Sequence, residues 1–268
     1  MSSKFQLVLS DVDGTLVPHD KVLTKRSLQA VRDLRDADIR FAITSSRPPR
    51  GLNMYLEPLQ LTTPISAFNG GVIIDPDKKV LVEHTIDDDI VATIIGLLDA
   101  HNVSVWVYRD QEWYVRDLDG PHVHHEAEVC QLEPFAIANF EAVGDGVAKI
   151  VGASDDASAL TKARTAIQAE VGDRVSATNS QPYYLDITNP QANKGAVVDY
   201  LSSTLAIPTN AIATIGDAHN DVSMFERAGL SIAMGNAEVD VKASAGEVTT
   251  SNEDEGFARA IEQFILLK

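Results

Sequence analysis

The stretch at residues 5–16, FQLVLSDVDGTL, constrains the chain most. Residues 5–9 form a mostly apolar run that stops at Ser10, which reads as a buried strand bounded by a turn signal. Two carboxylates, Asp11 and Asp13, follow at its C-terminal end, and Gly14 and Thr15 let the backbone turn sharply. In open α/β sheets that end is where ligands sit. A like-charge pair about 4 Å apart costs roughly 4 kcal/mol at an effective dielectric near 20. A hard divalent cation relieves the repulsion, since Mg²⁺ takes carboxylates, water and substrate phosphate as oxygen ligands. Taken alone, Asp-Val-Asp-Gly is a turn as readily as a site. It is not an EF-hand loop, because Thr15 and Leu16 stand where an Asp and a Gly are needed.

The first strand opens an alternating pattern. Thr24 offers an N-cap to a helix with Leu28, Val31 and Leu34 on one face. Residues 39–44 read as a second strand, closed by Ser45-Ser46-Arg47-Pro48, with the proline near the start of another helix. Strand, helix, strand implies a parallel, right-handed crossover. A third strand at 65–68 ends in Asn69-Gly70-Gly71, and residues 72–74 and 80–82 flank Asp75-Pro76-Asp77-Lys78 as a hairpin.

Near His84 the texture changes. A helix over 86–101, strands over 103–108 and 112–115, a histidine-bearing stretch at 121–129, a strand at 147–151, a helix over 156–169 and strands at 174–178 and 183–186 form a strand-rich α+β module. The alternating pattern resumes at Asn193-Lys194-Gly195, where a helix runs to about residue 205. An apolar strand at 211–215 ends in Gly216-Asp217-Ala218-His219-Asn220-Asp221. A helix at 222–228, a strand at 230–233, a short helix near 239–243, a strand at 247–249 and an amphipathic helix at 255–266 complete the chain. The expected architecture is an α/β core with a Rossmann-like, mostly parallel sheet over residues 1–83 and 189–268, interrupted by an inserted α+β domain at 84–188.

Composition narrows the function. The chain has 268 residues, 44% apolar and 23% charged, as in an ordinary globular protein. A formal net charge of −17 argues against a nucleic-acid partner, which needs a basic footprint. The single cysteine, Cys130, excludes an internal disulfide, and nothing basic surrounds it to make it reactive. No apolar run is long enough to span a membrane, and the N-terminus lacks a signal-peptide pattern, so the expected location is cytoplasmic. In that setting the sequon at Asn102 is chance.

Four strand ends carry polar groups suited to one anionic substrate: Asp11 with Asp13, Ser45, Asn69, and Asp217 with Asn220 and Asp221. Parallel neighbours would bring them to one edge of the sheet. Lys194 at a helix start reads, by itself, as a solvated lysine. Beside a carboxylate cluster it can hold a phosphate oxygen as a point charge. The triplet Asp87-Asp88-Asp89 suits a helix start. His122, His124 and His125 lack a metal-ligand spacing and read as a solvated or substrate-lining segment. Trp106, Tyr108, Trp113 and Tyr114 fit core or cross-strand pairs, with the possibility open that one faces substrate.

The segments Asp11-Val12-Asp13-Gly14-Thr15, Ser45-Ser46-Arg47-Pro48, Asn193-Lys194-Gly195 and Gly216-Asp217-Ala218-His219-Asn220-Asp221 resemble, in order, the four motifs of haloacid dehalogenase-type phosphatases. The stretches Ala233-Met234-Gly235-Asn236-Ala237 and Thr250-Ser251-Asn252-Glu253-Asp254-Glu255-Gly256 extend the resemblance to the Cof subfamily with its type IIB cap. It implies a Mg²⁺-dependent phosphomonoesterase of small phosphorylated metabolites such as sugar phosphates, monomeric or weakly dimeric. Asp11 would be the nucleophile and Asp13 the acid and base, with its carbonyl on the metal. Asp11 and Asp217 would give metal carboxylates. Ser45, the Ser46 amide, Arg47, Asn69, Gly70, Lys194 and Asn220 would surround the substrate, and Asp221 would orient Lys194 or a metal-bound water. Ser46 stands where the subfamily has glycine, and His219 has no assigned role. A phosphomutase of the same fold and a non-catalytic sensor of a phosphorylated metabolite are the rival readings.

Overall fold

A computed structural model describes residues 4–267. The chain divides into two compact units. The first comprises residues up to Ser45, Asn53–Leu81 and the chain from Asn193 onward, and the second comprises Ser46–Leu52 and Val82–Ala192.

The first unit is built on an eight-stranded sheet in the order Glu247–Val248, Leu230–Ala233, Ile212–Gly216, Leu7–Asp11, Arg40–Thr44, Ile65–Ala67, Val72–Ile74, Val80–Glu83. Leu7–Asp11 sits in its middle and pairs in parallel with Arg40–Thr44 on one side and Ile212–Gly216 on the other. Both faces of this strand are buried, which is why its sequence is a continuous apolar run instead of an alternating one. Ile65–Ala67 and Val72–Ile74 pair antiparallel, where the chain turns back on itself. On one face Leu7, Leu9, Val197, Val198, Leu201, Met224 and Val241 share a core.

Local sequence accounts for the helices. Thr24 caps Lys25–Asp36 by accepting the Ser27 amide at 3.0 Å, and Ala30, Val31 and Leu34 are buried, while Leu28 is only half-buried. The expected C-terminal helix is Gly256–Ala260 running into a wider π-type turn, Ile261–Ile265. The helix expected at 222–228 is reduced to Val222–Phe225, preceded by a 3₁₀ turn at His219–Asp221.

The second unit is a six-stranded sheet ordered Ser176–Gln181, Tyr184–Thr188, Val147–Ala153, Ser104–Arg109, Glu112–Val115, Phe135–Ala136. Strand alternation sorts its two faces. Val105, Val107, Ile150, Leu185 and Ile187 pack against Ile90, Ile94 and Leu98 of helix Asp88–Ala100 and Leu160 and Ile167 of helix Ala157–Val171. Trp106, Tyr108, Trp113 and Tyr184 are buried too, and the Trp106 ring meets those of Trp113 and Tyr184 edge-on at 5.0 Å. Of the four aromatics expected in core or cross-strand pairs, Trp106, Tyr108 and Trp113 are buried neighbours, whereas Tyr114 is half-buried beside Phe135, with ring centroids 5.8 Å apart. A buried ion pair, Lys149 Nζ to Asp186 at 2.6 Å, lies on strands that pair with theirs.

Two elements of this unit depart from the sequence reading. The histidine-bearing stretch contains a helix, Val123–Cys130, and Phe135–Ala136 adds a two-residue strand parallel to Glu112–Val115. Segment Ser46–Leu52 groups with this unit because Arg47 donates to the Val129 carbonyl at 2.8 Å and Arg50 pairs with Glu112 at 2.6 Å. The acidic triplet starts a helix as expected, with Asp87 at the N-cap and Arg174 clamping Asp87 and Asp89. The ends of the inserted chain are joined: Asn189 Nδ2 donates to the Thr85 carbonyl at 2.8 Å.

Candidate active site

Parallel pairing carries the C-terminal ends of Leu7–Asp11, Arg40–Thr44, Ile65–Ala67 and Ile212–Gly216 to one edge, and the polar residues follow. The centre is Lys194. Asn193 caps helix Lys194–Leu205 by accepting the Ala196 amide at 2.9 Å, which makes Lys194 the first helical residue. Its side chain is fully buried, and Nζ donates to Asp11 Oδ1 and to Asp221 Oδ1, each at 2.6 Å. The solvated reading of this lysine is thereby overturned: two carboxylates offset both the burial and the adverse helix dipole. Burial alone would lower its pKa, but Asp11 and Asp221 outweigh that and hold it above the usual lysine range.

The loop after Ile212–Gly216 wraps around Asp221, whose Oδ2 accepts the amides of Asp217 at 2.8 Å and Ala218 at 2.9 Å. Asp217 in turn accepts the Thr15 hydroxyl at 2.9 Å and the Asn236 amide nitrogen at 3.2 Å, and Asn236 also donates to the Gly14 carbonyl at 2.9 Å. Gly14 has φ +83°, and a Cβ there would run into the Asp217 carboxylate. Asn220 Nδ2 donates to Asn69 Oδ1 at 3.0 Å. Asn69, at φ 57°, donates its amide to the Ser45 carbonyl at 2.8 Å, so the second and third strand ends are tied together. Gly70, at φ +102°, packs where a side chain would meet Val197 and the Asn193 carbonyl. Asp13 pairs with Lys21 Nζ at 2.8 Å.

The fold thus gathers Asp11, Asp13, Ser45, Asn69, Gly70, Lys194, Asp217, Asn220 and Asp221 within one unit. Ser46 and Arg47 are counted with the second unit. There the Ser46 carbonyl accepts Lys149 Nζ at 3.2 Å, and the buried Arg47 guanidinium lies on the Gly51 and Val129 carbonyls. Ser46 does not adopt a positive φ, so the missing glycine introduces no backbone strain. His219 is exposed and pairs with Asp240 at 2.7 Å. His122 stacks on Tyr183 and meets Asp155 at 2.8 Å, while His124 meets Asp119 at 2.9 Å, so each is engaged by its own partner.

Three supporting residues were not singled out by sequence: Thr15, Asn236 and Lys21. The first two lie inside the recognised stretches, whereas Lys21 sits in a loop that carries no local signal.

Electrostatics marks the cluster as one that attracts a cation. Burial lifts the Asp11 carboxyl well above the usual range; Lys194 opposes this, and Asp221 and Asp217 add to it. Asp217 is pushed up to about 7, by burial first and by Asp221 second. Oxygens of Asp11, Asp217 and Asp221 lie within 4.8 Å of one another. Asp11 Oδ2 is buried without a hydrogen-bond partner. An all-oxygen donor set with one orphaned carboxylate oxygen fits a hard divalent ion. Within the cluster Asp221 bonds Lys194 and two amides, Asp217 bonds Thr15 and Asn236, and Asp11 bonds Lys194.

An acidic cluster and a buried lysine thus meet at the carboxyl edge of a mainly parallel sheet, the place where ligands bind in open α/β folds. The chain belongs to the haloacid dehalogenase-like hydrolases, whose family model matches residues 8–261. A Bacillus subtilis 5-amino-6-(5-phospho-D-ribitylamino)uracil phosphatase is 27% identical over 278 residues, covering 100% of both chains. A haloacid dehalogenase-like hydrolase from Bacteroides thetaiotaomicron has the same fold, with a TM-score of 0.89 and 26% identity over 97% of this chain and 100% of that one. A subclass IIB sugar phosphatase, 20% identical, shares the fold with a TM-score of 0.85, covering 97% and 98% of the two chains. The enzyme is a Cof-type phosphatase of this family. No helix among the described residues is long and apolar enough to cross a membrane.

Proposed function

We propose that this phosphatase is a Mg²⁺-dependent phosphomonoesterase of small phosphorylated metabolites, sugar phosphates among them, working through an aspartyl-phosphate. The observation that carries the reading is the Lys194 bridge. It holds one oxygen of Asp11 at 2.6 Å and leaves the other buried and unpartnered, as suits a carboxylate that will bond to phosphorus.

Phosphoryl transfer needs positioning and charge neutralisation more than elaborate covalent chemistry. Asp11 attacks phosphorus as the bond to the leaving oxygen breaks, and Asp13 gives that oxygen a proton. The Asp13 carboxylate then takes a proton from the water that releases phosphate from Asp11. Lys194 stays bonded to Asp11 and Asp221 and cancels charge where a dianionic phosphate would otherwise be repelled. Ser45 and Asn220, with the Ser46 amide, Arg47, Asn69 and Gly70, are the candidates to surround the substrate. Asp11, Asp217 and the Asp13 carbonyl would hold Mg²⁺, which when bound would supply further charge neutralisation. The inserted segment 84–188 is the candidate cap, with the linkers at 83–85 and 188–192 as its candidate hinges.

Release of inorganic phosphate from sugar phosphates, nucleotides and phosphorylated ribityl compounds, with and without Mg²⁺, tests the reading. Metal-dependent release that disappears in Asp11→Asn is expected. Release that survives the substitution removes the nucleophile assignment, and an isomerised sugar phosphate without free phosphate would instead indicate a mutase.

A further inference from the structure

Lys21 belongs to none of the recognised stretches, yet its ammonium lies 2.8 Å from Asp13 Oδ1, with both side chains about three-quarters buried. An ion pair of that exposure is ordinarily worth little. What distinguishes it is how the loop is built. Lys21 is a non-glycine residue at φ 62°, a left-handed conformation that is unfavourable for any side chain with a Cβ. It is fixed there from both ends. Its amide donates to the Pro18 carbonyl at 3.0 Å, and its carbonyl accepts the hydroxyl of Tyr55 at 3.1 Å. Tyr55 is itself only 2% exposed. Asp13 is held on its side by a parallel bridge to Val17, so a short closed loop presents the lysine to the carboxyl.

We propose that Lys21 is a positioning residue for Asp13, fixing that carboxyl for proton delivery to the leaving oxygen. This rests on the reading of Asp13 as the acid. In the first step the P–O bond to the leaving group breaks with its electron pair passing to oxygen, the bond from Asp11 to phosphorus forms, and the proton of the Asp13 carboxyl moves to the departing oxygen. Negative charge therefore appears on Asp13 as the proton leaves. An ammonium already bonded to one of its oxygens stabilises that charge without reorganising, the form of assistance that acts on the transition state. Lys21 touches neither phosphorus nor the leaving oxygen in this scheme and acts through Asp13 alone.

The test is kcat/KM, which reports the first chemical step, for p-nitrophenyl, phenyl and propyl phosphates with wild type, Lys21→Met, Lys21→Arg, Tyr55→Phe and Asp13→Asn. The nitrophenolate leaves without a proton, and the other two leaving groups need one. Lys21→Met is expected to lose about tenfold or more on phenyl and propyl phosphates, a share of the 10²- to 10⁴-fold that acid catalysis supplies, and less than about threefold on p-nitrophenyl phosphate. Lys21→Arg should recover most of the loss, and Tyr55→Phe should show a weaker version of the same selectivity. Thermal melting of each variant checks that it is folded. A loss in Lys21→Met that is equal on all three substrates, or confined to KM, makes Lys21 a substrate-binding or structural group and overturns the proposal. So does a Lys21→Met that matches wild type. Asp13→Asn separates the two claims: if it is itself indifferent to the leaving group, the acid reading of Asp13 fails and takes the proposal with it. If it is selective while Lys21→Met is not, only the role of Lys21 fails.

Discussion

Lys194 is the residue whose loss should be felt most widely, because its ammonium bonds two buried carboxylates, Asp11 and Asp221, each at 2.6 Å. Removing one partner of a buried ion pair leaves uncompensated charge, at a cost of about 3–5 kcal/mol. Lys194→Met is therefore expected to lower the melting temperature markedly as well as to reduce kcat by about a hundredfold or more, measurable by calorimetry and phosphate release. Asp217 gives a second expectation. Its folded pKa of about 7 stands above the unfolded carboxylate value, so the folded chain keeps a proton that the unfolded chain has lost. Stability of the metal-free protein should then fall as pH rises through roughly 4 to 7. A divalent ion competes for the same oxygens, so Mg²⁺ should raise the melting temperature more at pH 8 than at pH 5. An equal rise at both would remove Asp217 from the metal site.

The elements that deliver these residues were the most legible part of the chain. Continuous apolar runs ending in Ser10 and Gly216 identified two central strands, because burial on both faces leaves no polar alternation to confuse the pattern. Cap residues located helix starts, as at Thr24 and Asn193. Asn193→Ala should cost about 1 kcal/mol by freeing the Ala196 amide. Because it loosens the first turn, it should lower activity more than a comparable cap deletion at Asp156, whose side chain accepts from Ser158 and Ala159. Other elements were illegible for physical reasons. Val123–Cys130 has a weak apolar stripe and begins after His122 in a left-handed conformation, a start no cap signal announces. The strand Phe135–Ala136 is too short to carry a period. The grouping of Ser46–Leu52 with the second unit depends on Arg47 and Arg50 finding Val129 and Glu112, partners far along the chain. Likewise the family motifs made Asp11, Lys194 and Asp217 readable, whereas Lys21 reaches Asp13 only through the fold of its loop.

On the scale of the whole molecule, a net charge of −17 is spread over two units that each carry their own core. Self-repulsion among surface carboxylates opposes compaction, and its range shrinks from about 30 Å at 0.01 M salt to about 10 Å at 0.1 M. Raising NaCl across that interval should therefore raise the melting temperature, and a flat response would mean that local pairs such as those of Arg174 with Asp87 and Asp89 already absorb the repulsion. The bond from Asn189 to the Thr85 carbonyl has a different kind of consequence. A segment joined this close to both of its ends leaves and re-enters the host chain at nearly one place. Length or sequence can change within it without shifting the register of Leu7–Asp11 against its neighbours, so the two compact units can evolve on separate clocks.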